Sequence, residues 1–294
     1  RNWQHDNSFT YMRGAVLRKF IRDSLGFTRN IRACSGIADD EFIFMGISRA
    51  LGNYTSGRDY LQLLHDNDKG QKKRSTYFDA LNSPRRLKML NDVERAFCYF
   101  LRKELSERGV DYLGDFPELR NRAVLAGDGH AIEHAVHAGQ DKKKRYIPVS
   151  NVHLLDLHTG VGFHLCAIQG AQYRRHEIPC FREAVSNDPN ALKLGKQNRP
   201  IIIYDRAIID KNFWSRQKLA RVGMDMITRK KSNMKFTFKA PREINRSAEI
   251  NTGVIGDYAV GPDNSVSMRL IVYKDPDVKR QLFLRLTTIR IEVL

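Results

Sequence analysis

The sequence predicts a mixed α/β protein in three parts: a helical domain over residues 1–115, an α/β core over 116–234 and a β-rich segment over 235–294. Three observations predict it. Apolar spacings of three and four run through the first third, as on amphipathic helices. From residue 120 the pattern changes to short, β-branched-rich runs bounded by turn residues, which read as buried strands. After Arg229 the chain turns polar and strand-like without helical spacing.

In the helical part, Ala15-Val16-x-x-Phe20-Ile21 and Phe42-Ile-Phe-Met-Gly-Ile47 carry the helical spacing. Leu87 to Leu105 is the clearest helix, with Ser83 as its N-cap and Pro84 at the first helical position. Lys72-Lys73-Arg74 reads as a basic polar connector, and Arg85-Arg86-x-Lys88 follows on the next helix. Each cluster suits either a solvated face or contact with DNA phosphates. No helix-turn-helix is placed by the pattern.

In the core, strands are expected at Arg122 to Gly127, Val152 to His158, Gly162 to Ile168, Pro200 to Tyr204 and Met224 to Arg229, with Thr159-Gly160 as a turn and a helix over Lys211 to Val222. Three strands, helix, strand, helix, strand implies an antiparallel start and a parallel continuation, an order that fits the ribonuclease H-like architecture. In the last part, strands are expected at Lys235 to Lys239, Ile250 to Val260, Ser265 to Tyr273 and Gln281 to Thr287. Pro262-Asp263-Asn264 and Asp275-Pro276-Asp277 signal turns between them.

Two aspartates each end an apolar run: Asp128 in Val-Leu-Ala-Gly-Asp-Gly-His and Asp205 in Pro-Ile-Ile-Ile-Tyr-Asp-Arg. An acid at a strand's end projects from a rigid scaffold, which is what a paired-metal site needs. With 50 Lys+Arg against 33 Asp+Glu the net charge is +17, so the chain should be attracted to a polyanion, with nucleic acid the default partner. No run of 18 apolar residues, signal-peptide core or lipidation motif is visible, which points to a soluble, cytoplasmic protein, and a nucleic-acid partner would associate it with the nucleoid, where DNA is. The four cysteines form no Cys-x-x-Cys pair, which argues against a zinc ribbon and a disulfide framework and reads as reduced thiols. The chain opens on Arg1 and stops on Ile289-Arg-Ile-Glu-Val-Leu294, as a fragment of a longer protein would.

The pieces Ala-Gly-Asp128-Gly-His130, Asn151-Val-His-Leu-Leu-Asp-Leu-His-Thr-Gly160, Tyr204-Asp205-Arg206 with its following helix, and Arg269-Leu-Ile-Val-Tyr-Lys-Asp-Pro-Asp277 together resemble the DDE transposases of bacterial insertion sequences, whose ribonuclease H-like core is interrupted by a β insertion. The resemblance implies metal-dependent DNA strand cleavage and strand transfer at element ends. Asp128 and Asp205 would be the first two catalytic carboxylates and the ligands of Mg²⁺ or Mn²⁺. Double-stranded DNA, both element ends and target, would be the partner, and a homodimer in the DNA complex the expected assembly. The resemblance also implies a third carboxylate, a Glu in the pattern Tyr, two residues, Arg, three residues, Glu, six residues, Lys, which this sequence lacks. Glu292 is nearest in order, but its neighbours Ile289, Ile291 and Val293 alternate as on a strand. A catalytically dead DNA-binding remnant and a ribonuclease H-like nuclease are the alternatives.

Around this pair, Arg206 suits either a phosphate clamp or a salt bridge to a core acid, and Lys72, Lys73 and Arg74 are candidate DNA contacts. Gly127 and Gly129 would allow a phosphate to approach closely. His130 and His134 have the i, i+4 spacing of a zinc-binding helix, with His137, His153, His158 and His164 beyond them. Asp156 and Asp210 are further acids for which a turn or cap role is expected.

Overall fold

The computed structural model describes residues 19, 23, 36–51, 56–66, 74–132, 149–168, 177–187, 191–205, 210–219, 223–230, 234–261, 267–274 and 282–287. The chain divides into two compact units, Arg1–Lys103 and Glu104–Leu294. Among the described residues, no helix is long and apolar enough to cross a membrane.

The first unit is helical in its described residues, as expected. It contains α1 (Asp39–Leu51), α2 (Gly57–Asp66), α3 (Arg74–Leu81) and most of α4 (Pro84–Glu107). Pro84 opens α4 where its missing N–H costs nothing, and the Ser83 carbonyl accepts the first helical hydrogen bond from Leu87. Ile37, Phe42, Met45, Tyr60, Tyr77 and Met89 are buried together. The basic pair Arg85-Arg86, a candidate for DNA contact, is engaged inside this unit. Arg85 forks onto Asp39 at 2.6 and 2.7 Å, while Arg86 donates to the Ile37 carbonyl and lies 4.8 Å over the Phe42 ring. Arg74 begins α3 rather than lying in a connector; Lys72 and Lys73 lie outside the described residues.

The second unit is built on one nine-stranded sheet. Its strands are β1 (Val124–Ile132), β2 (Val149–Asp156), β3 (Val161–Ile168), β4 (Ile201–Tyr204), β5 (Asp225–Arg229), β6 (Thr237–Pro241), β7 (Val254–Gly261), β8 (Met268–Lys274) and β9 (Leu282–Thr287). Their order is β3-β2-β1-β4-β5-β9-β8-β7-β6. β1, β2 and β3 are antiparallel neighbours, whereas β4 lies parallel to β1 and β5 parallel to β4. The chain is thus a mixed helix and sheet protein with a mixed sheet. Helix α5 (Glu177–Asn187) supplies the crossover into β4, and α6 (Lys211–Leu219) the crossover into β5. The four strands after Arg229 are all present, and they continue the same sheet because β9 pairs antiparallel with β5. Both turn signals expected among them lie outside the described residues.

Alternation decides which face is covered. Leu125, Val152, Leu154, Ile202, Tyr204 and Met226 are buried in one cluster with Phe181 and Val185 of α5 and Phe213 and Trp214 of α6. On the other face of these strands, Asp128, His153 and Leu155 are exposed. A β3 residue, Cys166, on the covered side, is joined as a disulfide to Cys180 of α5, with Cα atoms 6.7 Å apart. The expectation of reduced thiols fails here because residues distant in sequence meet where α5 crosses β3. Cys98 is buried, and burial raises its thiol pKa.

Candidate active site at the carboxyl ends of the parallel strands

Parallel strands carry functional groups at their carboxyl ends, where the connections leave the sheet. β1 and β4 pair in register from Val124↔Ile201 to Gly127↔Tyr204. One residue further along each chain stand Asp128 and Asp205. The two acids separated by 77 residues in sequence, 205 − 128, are therefore neighbours across adjacent strands. Such strands lie ~4.8 Å apart. Both acids are exposed.

Asp128 does not end its strand, contrary to the sequence expectation. β1 continues to Ile132, paired with β2 throughout, and Asp128 sits opposite His153. What ends at Gly127 is the parallel pairing with the short β4. Asp128 is thus held in the β2 ladder on one side and stands one residue past the last β4 partner on the other. Its Oδ1 accepts a hydrogen bond from the Gly129 N–H at 2.9 Å.

Gly127 serves packing rather than phosphate approach. A methyl group there would run into the Tyr204 ring and press on Leu154. The ring that occupies this space belongs to the residue before Asp205, so one close contact fixes both acid-bearing strands.

Extending the β4–β5 register, which runs to Ile203↔Ile227, brings Arg229 alongside Asp205. The Arg229 guanidinium meets Asp205 Oδ1 at 3.4 Å, with both side chains open to solvent. Arg229 was missed by the sequence reading, although it too ends an apolar run on a parallel strand. Arg206, the expected phosphate clamp, lies outside the described residues.

On the opposite flank, His153 faces His164 of β3 with ring centroids 5.3 Å apart. A shift in register after Val152 makes His164 its partner. His130 lies on β1, so helical i, i+4 spacing with His134 does not apply; His134, His137 and Glu292 are outside the described residues. Among the described residues, no group of three His, Cys, Asp or Glu side chains is arranged to hold a metal ion. The Asp128 and Asp205 oxygens nevertheless suit Mg²⁺ or Mn²⁺, hard cations that take oxygen ligands and retain several waters.

The remaining acids have structural partners. Asp210 caps α6, its Oδ1 accepting from Phe213 N at 3.0 Å, and its other oxygen accepts from Arg182 of α5. Asp156 closes the β2–β3 turn by accepting from His158 N and the Thr159 hydroxyl, and Gly160 completes that turn at φ +72. His158 is in this turn rather than on a strand. Its ring is buried between Asp111 and the Arg122 carbonyl, 2.8 Å from each, at the end of the sheet away from Asp128. Burial pushes the Asp111 pKa upward, but hydrogen bonds from His158 and Leu113 N and the charges of His158 and Lys196 outweigh it and hold the carboxyl below its ordinary range. At the same end Asp225 pairs with Arg122 and, at 3.7 Å, with Arg199.

No family model matches this sequence, and no curated protein matches it. Among solved structures, the chain is similar to a cryo-EM structure of the piggyBac transposase synaptic complex with hairpin DNA, at 13% identity and a TM-score of 0.36. That likeness covers 95% of this chain and spans 59% of the length of that one. Its size assigns neither activity nor site.

Proposed function

We propose that the chain is the phosphodiester-transferring part of a DNA transposase of the DDE type, built on a ribonuclease H-like core, with Asp128 and Asp205 as its catalytic carboxylates. The observation that carries this reading is the register: two exposed acids from distant sequence positions are adjacent at the carboxyl ends of two parallel strands. The net charge of +17 supports a polyanionic substrate. The strand order β3-β2-β1-β4-β5 supports the ribonuclease H-like assignment.

In the reaction, the oxygen of water or of a DNA 3′ hydroxyl gives up its proton and bonds to phosphorus in line, the bond to the 3′ oxygen of the cut strand breaks, and that leaving oxygen takes up a proton, so that no net proton is consumed. Mg²⁺ or Mn²⁺, when bound, lowers the cost of generating the attacking oxygen and of the charge on the leaving one. Asp128 and Asp205 would hold it, from positions that β1 and β4 keep rigid. Arg229 keeps a positive charge beside Asp205, where a phosphate oxygen would approach.

DNA binding without cutting is the second reading. It is favoured by the absence, among the described residues, of a third ligand beside the two acids. Incubation with element-end DNA and Mg²⁺ or Mn²⁺ separates the two. The first reading expects metal-dependent nicking that Asp128→Asn and Asp205→Asn abolish while DNA affinity persists; tight binding with no nicking by the wild type would overturn it in favour of the second.

A further inference from the structure

We propose that the outward face of α4, in the helical unit, is a surface for the sugar-phosphate backbone of duplex DNA, with Lys88 and Arg95 on phosphates and Asn91 and Tyr99 donating beside them. Its choice of partner rests on the function proposed above. α4 is held by one face, where Arg86, Met89 and Val93 are buried. Met89 and Val93 belong to the cluster of Ile37, Phe42, Tyr60 and Tyr77, so the helix is fixed on a packed support. Lys88, Asn91, Arg95 and Tyr99 are exposed, Tyr99 by 69%. At 3.6 residues per turn these four fall within an arc of about 80°, on the side away from the buried residues. At a rise of 1.5 Å per residue, Lys88 and Arg95 are about 10 Å apart along the axis, with Tyr99 about 6 Å further on.

A face that is merely solvated mixes the two signs of charge and pairs them at i, i+4 spacing. This row contains no acid. Asp92, at its flank, is half-buried, and among the described residues neither Lys88 nor Arg95 is engaged in an ion pair or a side-chain hydrogen bond. Arg85 and Arg86 differ, being committed to Asp39 and Ile37. The excess is general along the helix within this unit, where Arg85, Arg86, Lys88, Arg95, Arg102 and Lys103 stand against Asp92 and Glu94. The partner is therefore an anion long enough to meet donors spread over about 16 Å of helix. Lys, Arg, Asn and Tyr are the side chains whose donors phosphate oxygens accept, and such contacts fix a protein on the duplex without reading its sequence. An acidic protein would match the charge alone; the phosphodiester chemistry proposed for Asp128 and Asp205 makes DNA the occupant.

The test uses the full chain and two labelled duplexes of unrelated sequence, titrated by fluorescence anisotropy over a range of salt concentrations without divalent metal. Lys88→Gln and Arg95→Gln should each weaken binding severalfold on both duplexes and reduce the slope of log affinity against log salt by about 0.9. Lys88→Arg should keep the slope, because the charge is retained. Asp92→Asn should strengthen binding. Melting temperatures of the two glutamine variants should stay at the wild-type value, since both positions are exposed, which separates a lost contact from a lost fold. A wild-type slope in both glutamine variants, or a loss confined to one of the two duplexes, would overturn the inference and leave the functional reading standing. Wild-type binding that is insensitive to salt would overturn the functional reading and this inference with it.

Discussion

Replacing Asp128 by Asn separates a catalytic acid from a structural one, because the two roles predict melting shifts of opposite sign. Asp128 and Asp205 are on adjacent strands, one residue past Gly127↔Tyr204. Two negative charges ~4.8 Å apart repel by about 0.9 kcal/mol in a water-like dielectric, and less as salt screens them. The Asp128 side chain accepts a hydrogen bond from the Gly129 N–H, and an Asn oxygen can accept it equally well. Asp128→Asn should therefore stabilise the metal-free protein by roughly 0.5–0.9 kcal/mol, a rise of about 1–3 °C for a unit of this size. Divalent metal reverses the comparison, because a ligand at a hundred times its dissociation constant stabilises by about 2.7 kcal/mol. Wild type should gain that increment and Asp128→Asn should lose most of it. The assay is thermal unfolding followed by circular dichroism, with EDTA and then with a Mn²⁺ titration. A fall of several degrees in the variant with EDTA would make Asp128 a structural acid, and a Mn²⁺-induced rise that survives the substitution would place the metal elsewhere.

Three further outcomes follow from the packing. Gly127→Ala should destabilise by about 1–3 kcal/mol by driving a methyl group into the Tyr204 ring, and Tyr204→Phe should leave that penalty in place; chemical denaturation of the single and double variants checks both. Asp225→Ala should cost about 3 kcal/mol, because it strands Arg122 and Arg199 without their carboxylate, and DNA affinity measured well below the new midpoint should not change, since the cluster is at the opposite end of the sheet from Asp128. The Arg85 hydrogen bonds, with the charges of Arg85 and Arg86, outweigh the opposing effect of burial and hold the Asp39 carboxyl below the usual aspartate range. Its contribution is complete above the unfolded value and lost as pH falls through the folded one, so the stability difference between wild type and Asp39→Asn should shrink below about pH 4.

Much of the second unit's plan is legible in the sequence. Runs such as Pro200 to Tyr204 and Met224 to Arg229 are short, apolar and bounded by turn residues, and they fold as β4 and β5. Periodicity carries this information because burial acts locally, residue by residue along a strand. The end of a strand is less legible: β1 runs on through Asp128 to Ile132 because β2 still offers it hydrogen-bonding partners after β4 has stopped. Basic clusters are also ambiguous, since Arg85 and Arg86 look free in sequence and are engaged by Asp39 and Ile37.

By itself the sequence determined the mixed α/β class, the strong positive charge and the choice of Asp128 and Asp205 as the acids to watch. Only the tertiary structure decided that these acids are neighbours, that Arg229 stands beside Asp205 in place of a residue nearer in sequence, and that Cys166 meets Cys180. The physical reason is that apolar patterning records which residues are withdrawn from water, a property of each segment alone. Strand register depends on hydrogen bonding between segments and on single contacts such as the Tyr204 ring over Gly127, and those exist only once the sheet has formed.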